Sequence, residues 1–335
     1  MAGKTEALDH RYYHIAGITI HVESDLPITD ATFHPKFKHF EVNGPGEDTI
    51  TIRHHFFLPD LTDWDMGEEV YRKPPWTIYR NGPSWLYVGI SANTEGALSR
   101  LWSGIWSRFY PLTLRSRQKT KQVESIFSGS VKDGYIHQVA LFNHDYSNIR
   151  IYNKTEQSFR KGNLHSLTLF PTDQILLARV LADREGCYIH ASGVVLDDKG
   201  ILFVGHSDAG KSTMVMMLQD KTKVLCDDRI VVRRWPNGFK IHGTWSHGDV
   251  PDVSADYAPL KAILFLKQDR VNRLIPIDRK QEISRRLLAC LIKPLGTADW
   301  WEKMLDLVDQ MAREVPCYSL RFTKDGGVID LLRRL

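Results

Sequence analysis

Four residues at fixed spacing, Gly205, Gly210, Lys211 and Ser212, write the pattern G-x-x-x-x-G-K-[ST] within the stretch FVGHSDAGKSTM. The chemistry this pattern offers is anion binding. Successive backbone N–H groups turn into one concavity at a helix N-terminus, and glycines let the backbone curl close to a phosphate. The lysine can reach the β- and γ-phosphates of a nucleotide, and the serine hydroxyl can hold Mg2+. The four positions match by chance in roughly one in a hundred chains of this length. The context strengthens the match: an apolar run, Ile201 to Val204, enters the loop and KSTMVMMLQ leaves it with helical character. His206, Ser207, Asp208, Ala209 and Thr213 complete the expected cradle. Asp208 is the discordant member. A carboxylate pointing inward would repel a triphosphate, so its side chain is expected to face outward or meet a cation; otherwise it marks a weakened nucleotide site.

A second group follows in VLCDDRIVV, where Asp227 and Asp228 end a short apolar strand. Two carboxylates just after such a loop helix can divide the work of phosphoryl transfer, one binding Mg2+ and the other accepting a proton from an attacking hydroxyl. Adjacent carboxylates raise each other's proton affinity, and a metal counteracts that.

In order and spacing, YIHASGVVLDDKGILFVGHSDAGKST, then LCDDRIVV, then IHGTW, resemble the catalytic domain of HPr kinase/phosphorylase, a family allied in fold to the phosphate-binding region of ATP-dependent phosphoenolpyruvate carboxykinase. The resemblance covers roughly residues 170 to 330, and it looks closest to shortened relatives that act as peptide- or small-molecule-serine kinases in natural-product gene cassettes. It implies an ATP and Mg2+ site in which Gly205 to Thr213 bind phosphates, Lys211 neutralises charge, and Ser212 and Asp228 hold the metal. It further implies that Asp227 is the general base and that His190 sits beside Asp227 and tunes it. Arg229 is expected in a structural ion pair. HGTWSHGD, residues 242 to 249, is expected either to line the cleft or to form a turn anchored by Trp245, and Arg270 and Arg273 are candidates for transition-state charge. The chain departs from the family in three places. Thr213 follows the loop serine where the family carries an acidic residue, the stretch used for the phosphorylase reaction has no counterpart, and residues 1 to 165 do not resemble the regulatory domain. These departures argue against the reverse reaction and against HPr itself as acceptor.

The expected function is an ATP- and Mg2+-dependent kinase acting on a hydroxyl of a peptide, protein or small molecule. The alternative is a nucleotide-binding, non-catalytic module or sensor in a peptide-modifying cassette, which Asp208 and Thr213 favour. A carboxykinase is excluded by the short chain and by the lack of a second metal-ligand cluster.

These groups need a scaffold. At 335 residues, with 42% hydrophobic and 25% charged residues, the chain suits a globular protein of two domains. A net charge of +4 gives no support to a nucleic-acid or membrane-surface partner; a homo-oligomer stays open. No apolar run approaches a membrane span, the N-terminus has no signal-like apolar region, and the four cysteines are scattered, which together predict a cytoplasmic protein. Residues 1–165 are expected to form a β-rich α+β domain for acceptor recognition or partner docking. Residues 166–335 are expected to form the α/β HPr kinase-like domain on a central β-sheet. PWTIYRNGPSWLYVGI predicts a hairpin turning at Asn81-Gly82-Pro83, and residues 98 to 106 predict a helix ended by Pro111. RSRQKTKQ, residues 115 to 122, reads as a solvated basic loop, and His54 and His55, adjacent on a strand, point to opposite faces and do not chelate together. A helix with Thr172 or Asp173 as N-cap and Gly186 as its stop is expected, then strands over CYIHASGVVLD, ILFVG, KVLC and LKAILFLKQ, and helices near 279–295 and 298–313.

Overall fold

The computed structural model describes residues 9–62, 64–73, 76–91, 135–169, 176–205, 209–294, 297–324 and 327–335. The expected helix at 98–106, the basic run 115–122, the caps Thr172 and Asp173, and the loop residues His206, Ser207 and Asp208 lie outside the described residues. Contacts gather the chain into two compact units. One comprises Met1–Ile52, Asp145–Asn148 and Ser158–Leu335, the other Arg53–His144 and Ile149–Gln157. These boundaries differ from a division at residue 165, and packing gives the reason. Phe37 and Phe40 lie against Trp245, with ring centroids 5.1 and 5.2 Å away. Arg184 donates to the Asp48 carboxylate at 2.7 Å, and Arg233 donates to the Ala16 carbonyl at 2.7 Å. Residues 9–52 thus belong with the C-terminal half.

In the first unit, β1 (Asp9–Ile15) and β2 (Ile18–Ser24) pair antiparallel through Ala16-Gly17, both at positive φ (51° and 81°), the mirror-image turn that matches strand twist. A 3-10 helix, Pro35–Phe40, leads into β3 (Glu41–Val42), which pairs with β1, and β4 (Thr49–His55) follows.

The second unit is built on an antiparallel meander of β5 (Glu68–Lys73), β6 (Trp76–Asn81), β7 (Ser84–Ser91), β8 (Tyr135–Phe142) and β9 (Asn148–Asn153). The predicted hairpin is present, with Asn81 opposite Ser84 and Gly82 at φ 56°. Leu61, Met66, Tyr79, Leu86, Val88 and Val139 form its core.

The remaining strands form an eight-stranded sheet: β10 (Gly186–Leu196), β11 (Lys199–Val204), β12 (Lys223–Cys226), β13 (Arg229–Trp235), β14 (Gly238–His242), β15 (Tyr257–Gln268), β16 (Arg273–Pro276) and β17 (Cys317–Phe322). Because β10 and β15 are long, each pairs with different neighbours along its length, and the pairings β10–β11–β15–β14–β13–β10 close a ring. Glycine permits the closure: a Cβ on Gly193 would lie 2.7 Å from Ile230, and one on Gly200 2.7 Å from Ile241.

Strands β11, β15 and β17 run parallel and are apolar on both faces. Leu202, Val204 and Ile263 face α3 (Lys280–Cys290) and α4 (Ala298–Glu314), while Ile201, Phe203 and Leu264 face Met214, Leu218, Ile329 and Leu332. Met214 and Leu218 belong to α2 (Lys211–Leu218), which follows α1 (Ala178–Ala182); Ile329 and Leu332 belong to α5 (Ile329–Leu332). The architecture is mixed α/β, as expected, and the described residues form large sheets with few helices. Gly186 is not the stop of the helix before it. It opens β10, and Glu185 takes the left-handed conformation at φ 50° instead. Among the described residues, no helix is long and apolar enough to cross a membrane.

Candidate functional site

Register brings the two sequence groups together. Val204, the last residue of β11, pairs with Ala191 of β10, and His190 beside it pairs with Arg229, the first residue of β13. The Ala191 N–H also donates to the Asp228 carbonyl at 3.0 Å. Neighbouring strands lie about 4.8 Å apart. Gly205 therefore starts its loop about one strand spacing from His190, and Asp228 about two. The loop also sits at the carboxyl end of the parallel strands, where open α/β sheets leave a crevice.

Gly210 has φ 95° and caps α2, and a Cβ there would press to 2.7 Å from Phe322 and 3.3 Å from the Gln268 amide. Gly205 is equally confined, since its Cβ would lie 2.5 Å from that of Ala209. Lys211 is only 8% exposed, and its Nζ donates to the Gly205 carbonyl at 2.9 Å. The ammonium is thus drawn back towards the residue that follows β11. Ser212 and Thr213 follow in the first turn of α2, half-buried. At the C-terminal end of α3, burial pushes the Cys290 thiol up against the opposing charges of Lys211 and Lys293. That end is tied in by Leu291, which bridges Ile189, and by the Ile292 N–H, which donates to the Tyr188 carbonyl at 2.8 Å.

The two aspartates take opposite environments. Asp227 is 1% exposed, and its carboxylate accepts the backbone N–H of Gly248 on one oxygen and that of Val250, at 2.9 Å, on the other. Asp228 instead meets His190, with Nε2 to Oδ1 at 3.2 Å, and Arg229 at 3.5 Å, and accepts the Ser246 hydroxyl at 3.2 Å. Burial alone would raise the Asp228 pKa. The His190 hydrogen bond, the charges of Arg229 and His190, and the Ser246 hydroxyl overcome it and hold the carboxyl at about 2. The expectation that His190 sits beside Asp227 is therefore corrected: both aspartates lie in the two-residue bend between β12 and β13, and there their carboxylates take different partners. Asp227 turns into the 246–250 backbone and Asp228 turns to the histidine. Arg229 does make the ion pair expected of it.

The 242–250 loop is held throughout. Trp245, 1% exposed, is the anchoring indole against Phe37 and Phe40. Thr244 donates to the Arg229 carbonyl at 2.6 Å, and a Cβ on Gly243 would lie 1.9 Å from the Ser254 carbonyl. Arg270 is exposed in the stretch that joins β15 to β16, where its backbone N–H donates to the Asp269 carboxylate at 2.7 Å, and Arg273, also exposed, opens β16. Ser246, Gln268 and Phe322 were not singled out from sequence. Ser246 lay within a flagged loop, but Gln268 and Phe322 reach Gly210 only through parallel strand pairing, which leaves no local signal.

The donor set suits a phosphate: two glycines, Gly205 and Gly210, with no room for a Cβ, a helix N-terminus and a buried ammonium. For a divalent ion it offers the Ser212 hydroxyl and the Asp228 carboxylate. Among the described residues, no group of three or more His, Cys, Asp or Glu is placed to hold a metal. Few protein oxygens suit Mg2+, which keeps several waters and shares the phosphates of its substrate.

Residues 170–332 match the family model described as SynChlorMet cassette protein ScmC. No curated protein matches the chain. Among solved structures, the Hpr(Ser) kinase/phosphatase from Coxiella burnetii aligns over 44% of this chain and 93% of its own, with 14% identity and a TM-score of 0.26. At that score the likeness is distant, and what the chain is similar to rests on the ScmC match.

Proposed function

We propose that this chain is a kinase that uses ATP and Mg2+ to phosphorylate a hydroxyl, serine foremost, on a peptide, protein or small molecule. The observation that carries the proposal is the placement of the buried Lys211 loop within two strand spacings of the Asp228–His190 pair. The match to a cassette protein supports a role in a biosynthetic cassette. The four free, buried cysteines suit a reducing, cytoplasmic setting.

In this reading Gly205, Ala209, Gly210 and the first N–H groups of α2 cradle the phosphates, with His206, Ser207, Asp208 and Thr213 completing the loop. Lys211 leaves the Gly205 carbonyl for the phosphate oxygens. A bound magnesium ion supplies charge neutralisation, with Ser212 and Asp228 as its protein oxygens. Asp228, ionised above a pH of about 2, can only accept from His190. His190 therefore donates through Nε2 and keeps its lone pair on Nδ1, where it can take the hydroxyl proton. Asp227, capped by two backbone N–H groups, is the clamp of the acceptor-side loop rather than the base.

The test is calorimetry with Mg-ATP on wild type and Lys211→Ala, followed by mass spectrometry of serine peptides incubated with wild type and His190→Gln. The proposal expects binding lost in Lys211→Ala and phosphorylation lost in His190→Gln. Binding without transfer to any acceptor would favour the non-catalytic module. Absence of binding by wild type would end both.

A further inference from the structure

One hydroxyl ties the 242–250 loop to the Asp228–His190 pair. Ser246 is buried; its hydroxyl donates to Oδ2 of Asp228 at 3.2 Å and accepts from the Arg229 guanidinium, also at 3.2 Å. Arg229 closes the triangle through its ion pair with the same carboxylate oxygen at 3.5 Å. A hydroxyl and a cation thus hold Oδ2, and Oδ1 is left for His190 at 3.2 Å. A serine hydroxyl has one proton and two lone pairs, so donating to Asp228 and accepting from Arg229 settles its rotor. Two anchors on Oδ2 set the plane of the carboxylate, and that plane sets the direction in which the His190 ring donates.

Ser246 is itself held by two different parts of the chain. Its backbone N–H donates to the Thr244 hydroxyl at 3.2 Å, and that hydroxyl donates to the Arg229 carbonyl at 2.6 Å, which fastens the loop to the first residue of β13. The neighbouring Trp245 packs its indole on Phe37 and Phe40 of the 3-10 helix, with ring centroids 5.1 and 5.2 Å away. Phe37 in turn meets Tyr13 of β1 and Phe33 edge to face, each at 5.9 Å, so the helix is fixed to the strand before it. These rings are all buried, and a close-packed interior transmits a displacement instead of absorbing it. Every residue in the chain from Tyr13 to His190 belongs to the first unit. Phe37 and Phe40 lie outside the stretch matched by the family model, which begins at residue 170.

We propose that Ser246 is a positioning residue for Asp228, and that Phe37 and Phe40 of the N-terminal segment set its place through Trp245. The stretch matched by the family model carries the reacting groups, and residues 35–40, outside that stretch, complete their alignment. What Asp228 and His190 do once aligned rests on the kinase reading; the alignment itself does not.

The Nε2 proton of His190, followed by NMR in the full chain with nitrogen-labelled histidine, reports this alignment without any turnover. A proton held on the Asp228 carboxylate exchanges slowly with water, and a loosened one exchanges faster. Ser246→Ala is expected to speed that exchange about tenfold, the loss of one hydrogen bond to a charged group. Ser246→Thr keeps the hydroxyl and should restore the slow rate. Phe40→Leu changes none of the polar groups, yet it should speed the exchange in the same direction. Phe142→Leu makes the same exchange of side chain at a buried position of the other unit and should leave the wild-type rate. With a serine peptide and Mg-ATP, Ser246→Ala and Phe40→Leu should lower kcat and leave KM for the peptide unchanged. If Ser246→Ala does not fold, the contrast between Phe40→Leu and Phe142→Leu decides. Wild-type exchange in Ser246→Ala, an unrestored rate in Ser246→Thr, or equal effects of Phe40→Leu and Phe142→Leu would overturn the proposal. Faster exchange in the variants, with no phosphoryl transfer even by wild type, would uphold the positioning role and end the kinase reading.

Discussion

Exchanging each aspartate of the pair for asparagine separates a clamp from a catalytic carboxylate. In Asp227→Asn one oxygen becomes an NH2 group, which faces either the Gly248 or the Val250 N–H. One charge-assisted bond is lost, and a backbone donor is left unpaired in a site that is 1% exposed. The first change costs about 1.5–3 kcal/mol and the second about 1–3 kcal/mol, so a total of about 2.5–6 kcal/mol is expected. Most of it should appear locally, because the loop opens before the sheet does. Hydrogen exchange at Gly248 and Val250 should accelerate by about a hundredfold or more, since each 1.4 kcal/mol is about a factor of ten. Asp228→Asn is different. Its carboxyl is held at about 2 against an ordinary 3.8. That depression amounts to roughly 2.5 kcal/mol at neutral pH before solvent screening reduces it. Because the folded pKa is the lower one, this stability is present above about 3.8 and lost as pH falls towards about 2. Asp228→Asn should leave exchange at Gly248 and Val250 near wild type while abolishing turnover. Native-like exchange in Asp227→Asn, or full turnover in Asp228→Asn, would refute the division of roles.

Two further outcomes follow from the same loop. His242, buried and accepting the Trp235 indole N–H at 3.3 Å, is pushed down to about 3 by burial and by the charges of Arg233, Lys240 and His14. The folded state binds its proton later than the unfolded state does, so stability holds above about 6.5 and falls as pH drops towards about 3, by at most about 4–5 kcal/mol. Urea titrations of wild type and His242→Gln between these limits should converge as pH falls. Gly243→Ala places a methyl 1.9 Å from the Ser254 carbonyl, a backbone atom, so a loss above about 3 kcal/mol and poor recovery of folded protein are expected from circular dichroism and urea unfolding.

Much of the scaffold was legible in the sequence because it is written locally. The apolar run of β11 followed by Gly205, Gly210 and Lys211 marks a strand, a tight loop and a helix start, and each signal acts within a few residues. The same holds for the strand that ends at Cys226 and for the two late helices, found at Lys280–Cys290 and Ala298–Glu314. The turn at Ala16-Gly17 was missed because alanine seldom takes positive φ and carries no turn signal of its own.

What only the tertiary structure decided is which groups meet. Composition places residues 1–165 together, yet Phe37 and Phe40 cover Trp245 from two hundred residues away, a contact that no local pattern encodes. The adjacent aspartates carry the same information in sequence. They share the bend between β12 and β13, and the pairing of β13 with β10 brings Asp228 to His190 while Asp227 is buried against the backbone N–H groups of Gly248 and Val250. The chemistry of each residue was fixed by its type, but its role depends on strand pairing across the sheet.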